Sequence, residues 1–374
     1  MAETKRSIWT RLYHGETAVD FVGRKRLWFA ISVLVIGTGL GSLALRGLNF
    51  GIDFEGGTAW EVPAPDVSVG DARDALRPLG LADAKVQLVG RDPPRLRVQA
   101  DPGSATLRQQ VTDRLAALAE APVGEVSVDD VGPSWGEEVT QKARNALVVF
   151  LVAITLYITL RFEWKMAVAT LAALVHDMLV TVGVYSVSGF EVSPATVIAV
   201  LTVLGYSIYD GIVVFDKVEE NTRGLASSGR VTYADMVNLS LNQVLMRSLN
   251  TAITALLPII SLLVIGRSLG ASTLQDFALA LLIGLGASAY SSIFIASPIL
   301  ATLKEREPRY ASIRQRVMSR GGSGVLTPAA AAAGGLIGAR PVDAETRSRQ
   351  ARPAAARAPS KRPPPRPRKK GKRR

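Results

Sequence analysis

The sequence predicts a polytopic α-helical membrane protein with six transmembrane helices and a small α+β domain inserted after the first. Three observations lead there. Six apolar segments each approach the ~20 residues a helix needs to cross a bilayer's hydrocarbon. The 374-residue chain is 48% hydrophobic with positive mean hydropathy, a balance uncommon in soluble domains. About 95 residues of soluble character separate the first two apolar segments.

Residues 1–26 form a Lys- and Arg-rich arm ending in Arg24-Lys25-Arg26. The first span, Leu27–Leu45, follows it as a signal anchor would. It is too long for a cleaved apolar leader and no clean A-x-A site follows, so it reads as retained. Residues 46–141 then alternate between strand and helix signals. Asn49–Val62 alternates as a strand, and Val69–Leu79 has apolar residues at helical spacing. Lys85–Val89 and Arg95–Gln99 are short strands around the turn Arg91-Asp92-Pro93-Pro94. Ser104–Ala119 is an amphipathic helix with Leu107, Val111, Leu115 and Leu118 on one face and Ser104 as its cap. Glu125–Val131 closes the set. The order β-α-β-β-α-β is that of a ferredoxin-like unit.

Asp53 and Glu55 lie two apart on the first strand and share a face beside the turn at Gly56-Gly57. No further catalytic constellation accompanies them, so the domain reads as one that binds or moves. The remaining spans are Ala143–Leu160, Met166–Val187, Ser193–Phe215, Leu245–Ile265 and Leu274–Leu300. They form a bundle over 142–303, interrupted by a polar loop at 217–244 with helical stretches. Residues 304–374 read as a disordered basic tail, low in complexity from Gly321 onward.

The net charge of +12 belongs to that tail. From Ala301 onward there are about 20 Lys/Arg against about 4 Asp/Glu, leaving about −4 for the rest. The tail suits a solvated positive anchor or contact with anionic lipid, with no specific nucleic-acid signature. Basic residues concentrate in the N-terminal arm, the link Arg161–Lys165 and the loop with Lys217, Arg223 and Arg230. Both termini are therefore expected in the cytoplasm and residues 46–141 outside.

Several classes of function are excluded. With no cysteine there is no thiol chemistry or Cys-based metal site. Only His14 and His176 occur, too few for a His-rich metal centre. No P-loop, dinucleotide fingerprint or nucleophile elbow is present. The chain is not expected to be an enzyme or to carry a metal or cofactor.

Polar residues inside the spans carry the functional signal. Asp210 lies in an apolar run, where a carboxylate costs roughly 2.5–3.5 kcal/mol to insert. Arg247, in the next span, reaches similar depth on an antiparallel helix. Together they read either as a fixed buried ion pair or as a protonatable carboxylate modulated by a guanidinium. Tyr206 shares the Asp210 face, and Gly205 and Gly211 thin that helix so that a neighbour or water can approach. Asp177 and His176 in the third span suit a proton relay, or a hydrogen bond across a helix interface. Tyr290, Ser291 and Ser292 in the last span read as a close helix contact or a hydrated path.

These motifs resemble the SecF family of protein-export membrane proteins. The likeness covers about 24–308. It rests on Asn49-Phe50-Gly51-Ile52-Asp53-Phe54 with Gly56-Gly57-Thr58, on His176-Asp177, and on Gly205-Tyr206-Ser207-Ile208 with Asp210. Arg247-Ser248, Asn250-Thr251 and Tyr290-Ser291-Ser292-Ile293-Phe294 complete it. The resemblance implies half of an RND-transporter-like bundle in the bacterial cytoplasmic (inner) membrane. It implies a SecD-like partner, a SecY-type translocon channel and a translocating preprotein. Protons are the implied coupling ion, driving late steps of export, with Asp210 and Arg247 on the family's intramembrane acid and base. Tyr209 and Gly211 depart from the Asn and Thr usual beside the acid. Ser207 and Tyr209 are the residues placed to replace their hydrogen bonds.

Overall fold

The computed structural model describes residues 17, 19–89, 94–223, 231–269, 271–321, 326–328 and 331. His14, most of the turn at 91–94, Arg230 and the tail from 332 lie outside them. Among the described residues six helices are long and apolar enough to cross a membrane. They run Lys25–Arg46, Pro133–Arg161, Trp164–Ser188, Pro194–Thr222, Tyr233–Leu269 and, through a π-turn, Ser272–Lys304, and are called spans 1 to 6 below. Span 6 is the hub: it packs on spans 3, 4 and 5, while span 1 lies along span 3.

Several spans outrun their apolar runs, because a helix goes on as long as its backbone bonds and caps allow. Span 2 begins at Pro133, which suits a first helical position, and continues unbroken to Arg161. The loop expected at 217–244 is largely the ends of spans 4 and 5, which run to Thr222 and from Tyr233, and residues 224–230 lie outside the described residues. Tyr233, Val237 and Leu241 of the span 5 extension are buried with Phe21, Phe215 and Leu300. Asn238 Oδ1 accepts bonds from the Phe21 and Val22 amides, tying the N-terminal arm there.

The tail expected to be disordered from 304 instead starts with a helix, Pro308–Ser319, whose Ile313 and Val317 are buried. Leu326 and Ala331 pack on the same cluster. Lys165 meets Glu307 at 2.6 Å, and Lys304 pairs with Glu163. Partial burial alone would raise the Glu307 carboxyl. The hydrogen bond from Lys165 and the two nearby cations outweigh it and hold the group below its ordinary range.

In the domain between spans 1 and 2 four antiparallel strands pair in the order β3-β4-β2-β5: Lys85–Val89, Arg95–Ala100, Gly57–Pro63 and Ser127–Val131. Two helices, Val69–Leu76 and Ala105–Leu118, complete the ferredoxin-like arrangement. Trp60, Leu96, Val98, Val111 and Leu115 form its core. Ser104 caps its helix as expected, accepting a bond from the Leu107 amide at 3.2 Å.

The expected strand over 49–62 is broken. Asn49–Phe50 (β1) is followed by a single helical turn, Ile52–Glu55, before β2 starts. Asp53 and Glu55 therefore sit on a helix, not on one face of a strand. The break is made by glycine: Gly56 and Gly57 adopt φ of 79° and 111°, open to residues without a Cβ. The freed β1 pairs in parallel with β6, Glu191–Val192, in the link between spans 3 and 4.

Candidate functional site

Span 4 carries Asp210 at mid-length, half-buried, and its Oδ2 accepts a hydrogen bond from Ser292 Oγ of span 6. Ser292 opens a π-turn, Ser292–Ala296, directly before Ser297-Pro298. A proline inside a helix removes one amide and crowds the carbonyl a turn earlier, and a π-turn absorbs that clash. The Ser292 carbonyl is bonded by Ser297 Oγ at 3.0 Å. Ser248 of span 5 also faces the Asp210 carboxylate. Its buried hydroxyl stands beside the acid but makes no hydrogen bond of ordinary geometry.

The expected Asp210–Arg247 pair is not made. Arg247 is exposed and forms no ion pair with a described residue. The reason is helical azimuth. Ser248, one residue on, occupies the face turned to span 4, and Arg247 stands about 100° around the helix. A static brace between these two charges is thus absent from this structure. The expected substitutes also lie elsewhere: Tyr209 is 53% exposed, and Ser207 Oγ donates to Asp177 Oδ2 at 2.7 Å. An added Cβ at Gly205 or Gly211 would meet nothing within 4 Å. No described neighbour comes against the Cβ position of either glycine, although Gly211 is itself buried. Tyr206 reaches the Thr251 carbonyl of span 5 at 3.4 Å.

Asp177 is 1% exposed and joins a chain of polar groups through the bundle. Its Oδ1 lies 3.2 Å from His176 Nδ1, and His176 Nε2 lies 3.0 Å from Ser32 Oγ of span 1. Ser32 reaches Tyr290 OH of span 6 at 3.4 Å, and that phenol donates to the Trp28 carbonyl at 2.9 Å. The Tyr290 ring stacks on His176 with centroids 5.8 Å apart. Ser291 turns away, bonding the Ser288 carbonyl at 3.3 Å, while buried Ser288 Oγ has no hydrogen-bond partner among the described residues. A void of about 10 Å³ beside Asp177, Thr181 and Gly284 is at the lower limit for one water.

The arrangement can hold a proton in two ways. With Asp177 ionised, Nδ1–H donates to it and Nε2 accepts from Ser32. With Asp177 protonated, it donates to Nδ1, Nε2–H donates to Ser32, and Ser32 turns to Tyr290. The two states differ by one proton and by the direction of a hydroxyl. Asp210 has its own donor in Ser292, on the helix that also carries Tyr290.

Gly51, Asp53, Gly56 and Gly57 do not contribute to this cluster; they shape the junction between the domain and the spans. A Cβ on Gly51 would sit 2.5 Å from Glu191 Oε1. Asp53 is half-buried, and desolvation pushes its carboxyl above the usual range against the opposing pull of Arg97. Glu55 pairs instead with Lys85 at 2.7 Å. Among the described residues no cluster of His, Asp and Glu has the arrangement of a metal site. Sequence reasoning missed Ser32 and Trp28, and gave Ser248 no part beside the acid. A lone serine in an otherwise apolar span was the available signal.

Comparison with known proteins gives the family. Residues 110–306 match the model described as protein export membrane protein SecD/SecF, C-terminal, and 41–59 match the SecD/SecF GG motif. Protein translocase subunit SecF of Streptomyces coelicolor is 42% identical, over 85% of each chain. That of Mycobacterium tuberculosis strain H37Rv is 41% identical, over 96% of this chain and 86% of the relative. The crystal structure of Thermus thermophilus SecDF, a translocon-associated membrane protein, superposes with a TM-score of 0.70 at 36% identity. It covers 78% of this chain, and this chain spans only 39% of it. The spans, the sheet domain and these matches together make this chain a member of the SecF family of protein-export membrane proteins.

Proposed function

We propose that the chain works with a SecD-like subunit and a SecY-type channel in the bacterial cytoplasmic membrane, drawing on the proton gradient to advance an emerging preprotein in late export. The Thermus relative that carries SecD and SecF in one name supports the first partner. The sheet domain faces outward and both termini face the cytoplasm, in keeping with the placement of basic residues. No chemical catalysis is involved, and protons are the coupling ion. The basic tail adds contact with anionic lipid.

One observation carries the reading: two carboxylates, Asp210 and Asp177, lie within the spans, each hydrogen-bonded to a hydroxyl on a different helix. A carboxylate held by hydroxyls rather than by a fixed cation can take and release a proton. Arg247, exposed and unpaired with any described residue, is free to approach Asp210 when span 5 rotates. It then favours the anion and expels the proton. One charge crossing 100 mV releases about 2.3 kcal/mol, enough to bias a helix shift. In the first test, Asp210→Asn is expected to abolish the gradient-driven component of preprotein export while the complex still assembles. Export at the parental rate with intact assembly would refute the role.

A further inference from the structure

Between the sheet domain and the bundle lies an apolar pocket of about 400 Å³, within the roughly 300–1,000 Å³ typical of small-molecule sites. Phe50 and Phe54 roof it. Leu147 of span 2, Tyr185 of span 3, and Val197 and Leu201 of span 4 form its walls. The pocket exists because span 2 meets the rest of the molecule at two separate places. Near its start Gly136 lies so close to the domain that an added Cβ would be 2.8 Å from the Phe54 carbonyl oxygen. Further along, Phe150, Leu151 and Ile154 pack against Leu174, Leu204 and Ile208. Between these contacts the helices part.

One cation stands at the mouth. Arg144 lines the pocket, is exposed, and forms no hydrogen bond or ion pair with a described residue. It lies about 25 Å along span 2 from Arg161, at ~1.5 Å per residue. The hydrocarbon is about 30 Å thick, so with Arg161 in one headgroup layer the Arg144 side chain reaches the other. Trp135, further out on the same helix, is 58% exposed, as an aromatic belt residue is.

We propose that this pocket binds a membrane phospholipid, one acyl chain inside and the phosphate on Arg144. The lining is hydrocarbon in character, and a guanidinium pairs with phosphate oxygens through two parallel hydrogen bonds. Only 6% of the apolar window of span 2 is buried, so the pocket is reachable from the bilayer. The bound chain touches the first turns of span 4, the helix that carries Asp210, and the Phe50 end of β1.

The test uses the full chain reconstituted in phosphatidylglycerol vesicles with trace photoreactive phosphatidylglycerol, activated near its acyl terminus. A photoreactive diacylglycerol with the same chain and no phosphate runs in parallel. The phospholipid is expected to label peptides containing Leu147, Val197 and Leu201 about ten-fold more than the diacylglycerol, the scale of a hydrogen bond to a charged group. Arg144→Gln brings the two probes level, and Val200→Trp, which fills the pocket, removes labelling by both. Arg144 is exposed, so its variant keeps the experiment readable if Val200→Trp misfolds. Equal labelling by both probes in the parent overturns the proposal. So does labelling spread over the spans that ignores either substitution, or loss of labelling when a partner subunit is added, which assigns the surface to protein.

Discussion

At Asp210 the replacement of a missing neighbour comes from another helix. Tyr209 and Gly211 supply no donor to the acid, and Ser292 of span 6 does. Removing that hydroxyl leaves the carboxylate with Ser248, which has no bond of ordinary geometry. An unsatisfied buried acceptor costs about 1–3 kcal/mol. Ser292→Ala is therefore expected to lower gradient-driven export several-fold with the protein still folded, and Ser292→Thr to restore most of it. Parental export by the alanine variant would remove Ser292 from the site. The acids themselves were legible in the sequence, because a charge inside an apolar run is costly wherever the helix faces. His176 beside Asp177 was legible too, as its neighbour in sequence, but the partners on other helices were not. Whether Arg247 or Ser248 meets Asp210 depends on a rotation of about 100°, which hydropathy does not encode. The π-turn that sets Ser292 was equally hidden, although Pro298 marked where the helix had to adjust.

The helix pair of spans 1 and 3 explains how His176 is positioned. Both helices run the same way and meet in a constant register: Ser32 with His176, Gly39 with Gly183, and Ser42 with Ser186. The contacts recur seven and then three residues apart, the spacing of parallel helices that keep one seam in contact. At the centre the two glycines touch, an added Cβ on Gly39 lying 2.6 Å from the Gly183 Cα. Small residues permit such approach in membrane helices. Gly183→Val must push the helices apart, and overpacking of this kind costs about 1–3 kcal/mol. The chain has no cysteine, so Ser42→Cys with Ser186→Cys provides a clean reporter. Disulfide formation is expected to be fast in that background and much slower once Gly183→Val is added. An unchanged rate would show that the seam tolerates the side chain. The matching small-residue spacing was present in both spans, yet pairing requires knowing which helices are neighbours, and sequence order does not give that.

At the scale of the molecule, the sheet domain is tied to the bundle through the link between spans 3 and 4. Glu191, almost fully buried, receives Arg97 at 3.1 Å and Gln99 at 2.9 Å from β4. The same link contributes β6 to the parallel pair with β1. The ferredoxin-like order of the domain was legible because each element carries its own periodicity. This docking was not, since a two-residue strand has no pattern and Arg97 is far from Glu191 in sequence. These bonds tie the domain directly to the link between spans 3 and 4, the helices that carry Asp177 and Asp210. Glu191→Ala leaves Arg97 with Glu61 at 3.5 Å, so the loss falls below the ~3–5 kcal/mol of a fully isolated buried charge. Local opening then becomes more frequent without global unfolding. Hydrogen exchange is expected to quicken at residues 49–52 and 189–193 while amides of β2 and β4 keep their protection. Equal acceleration throughout the domain would mean that the sheet depends on the bundle for its stability and cannot act as a separate lever. Protection retained at 49–52 would mean that the strand pair alone carries the connection.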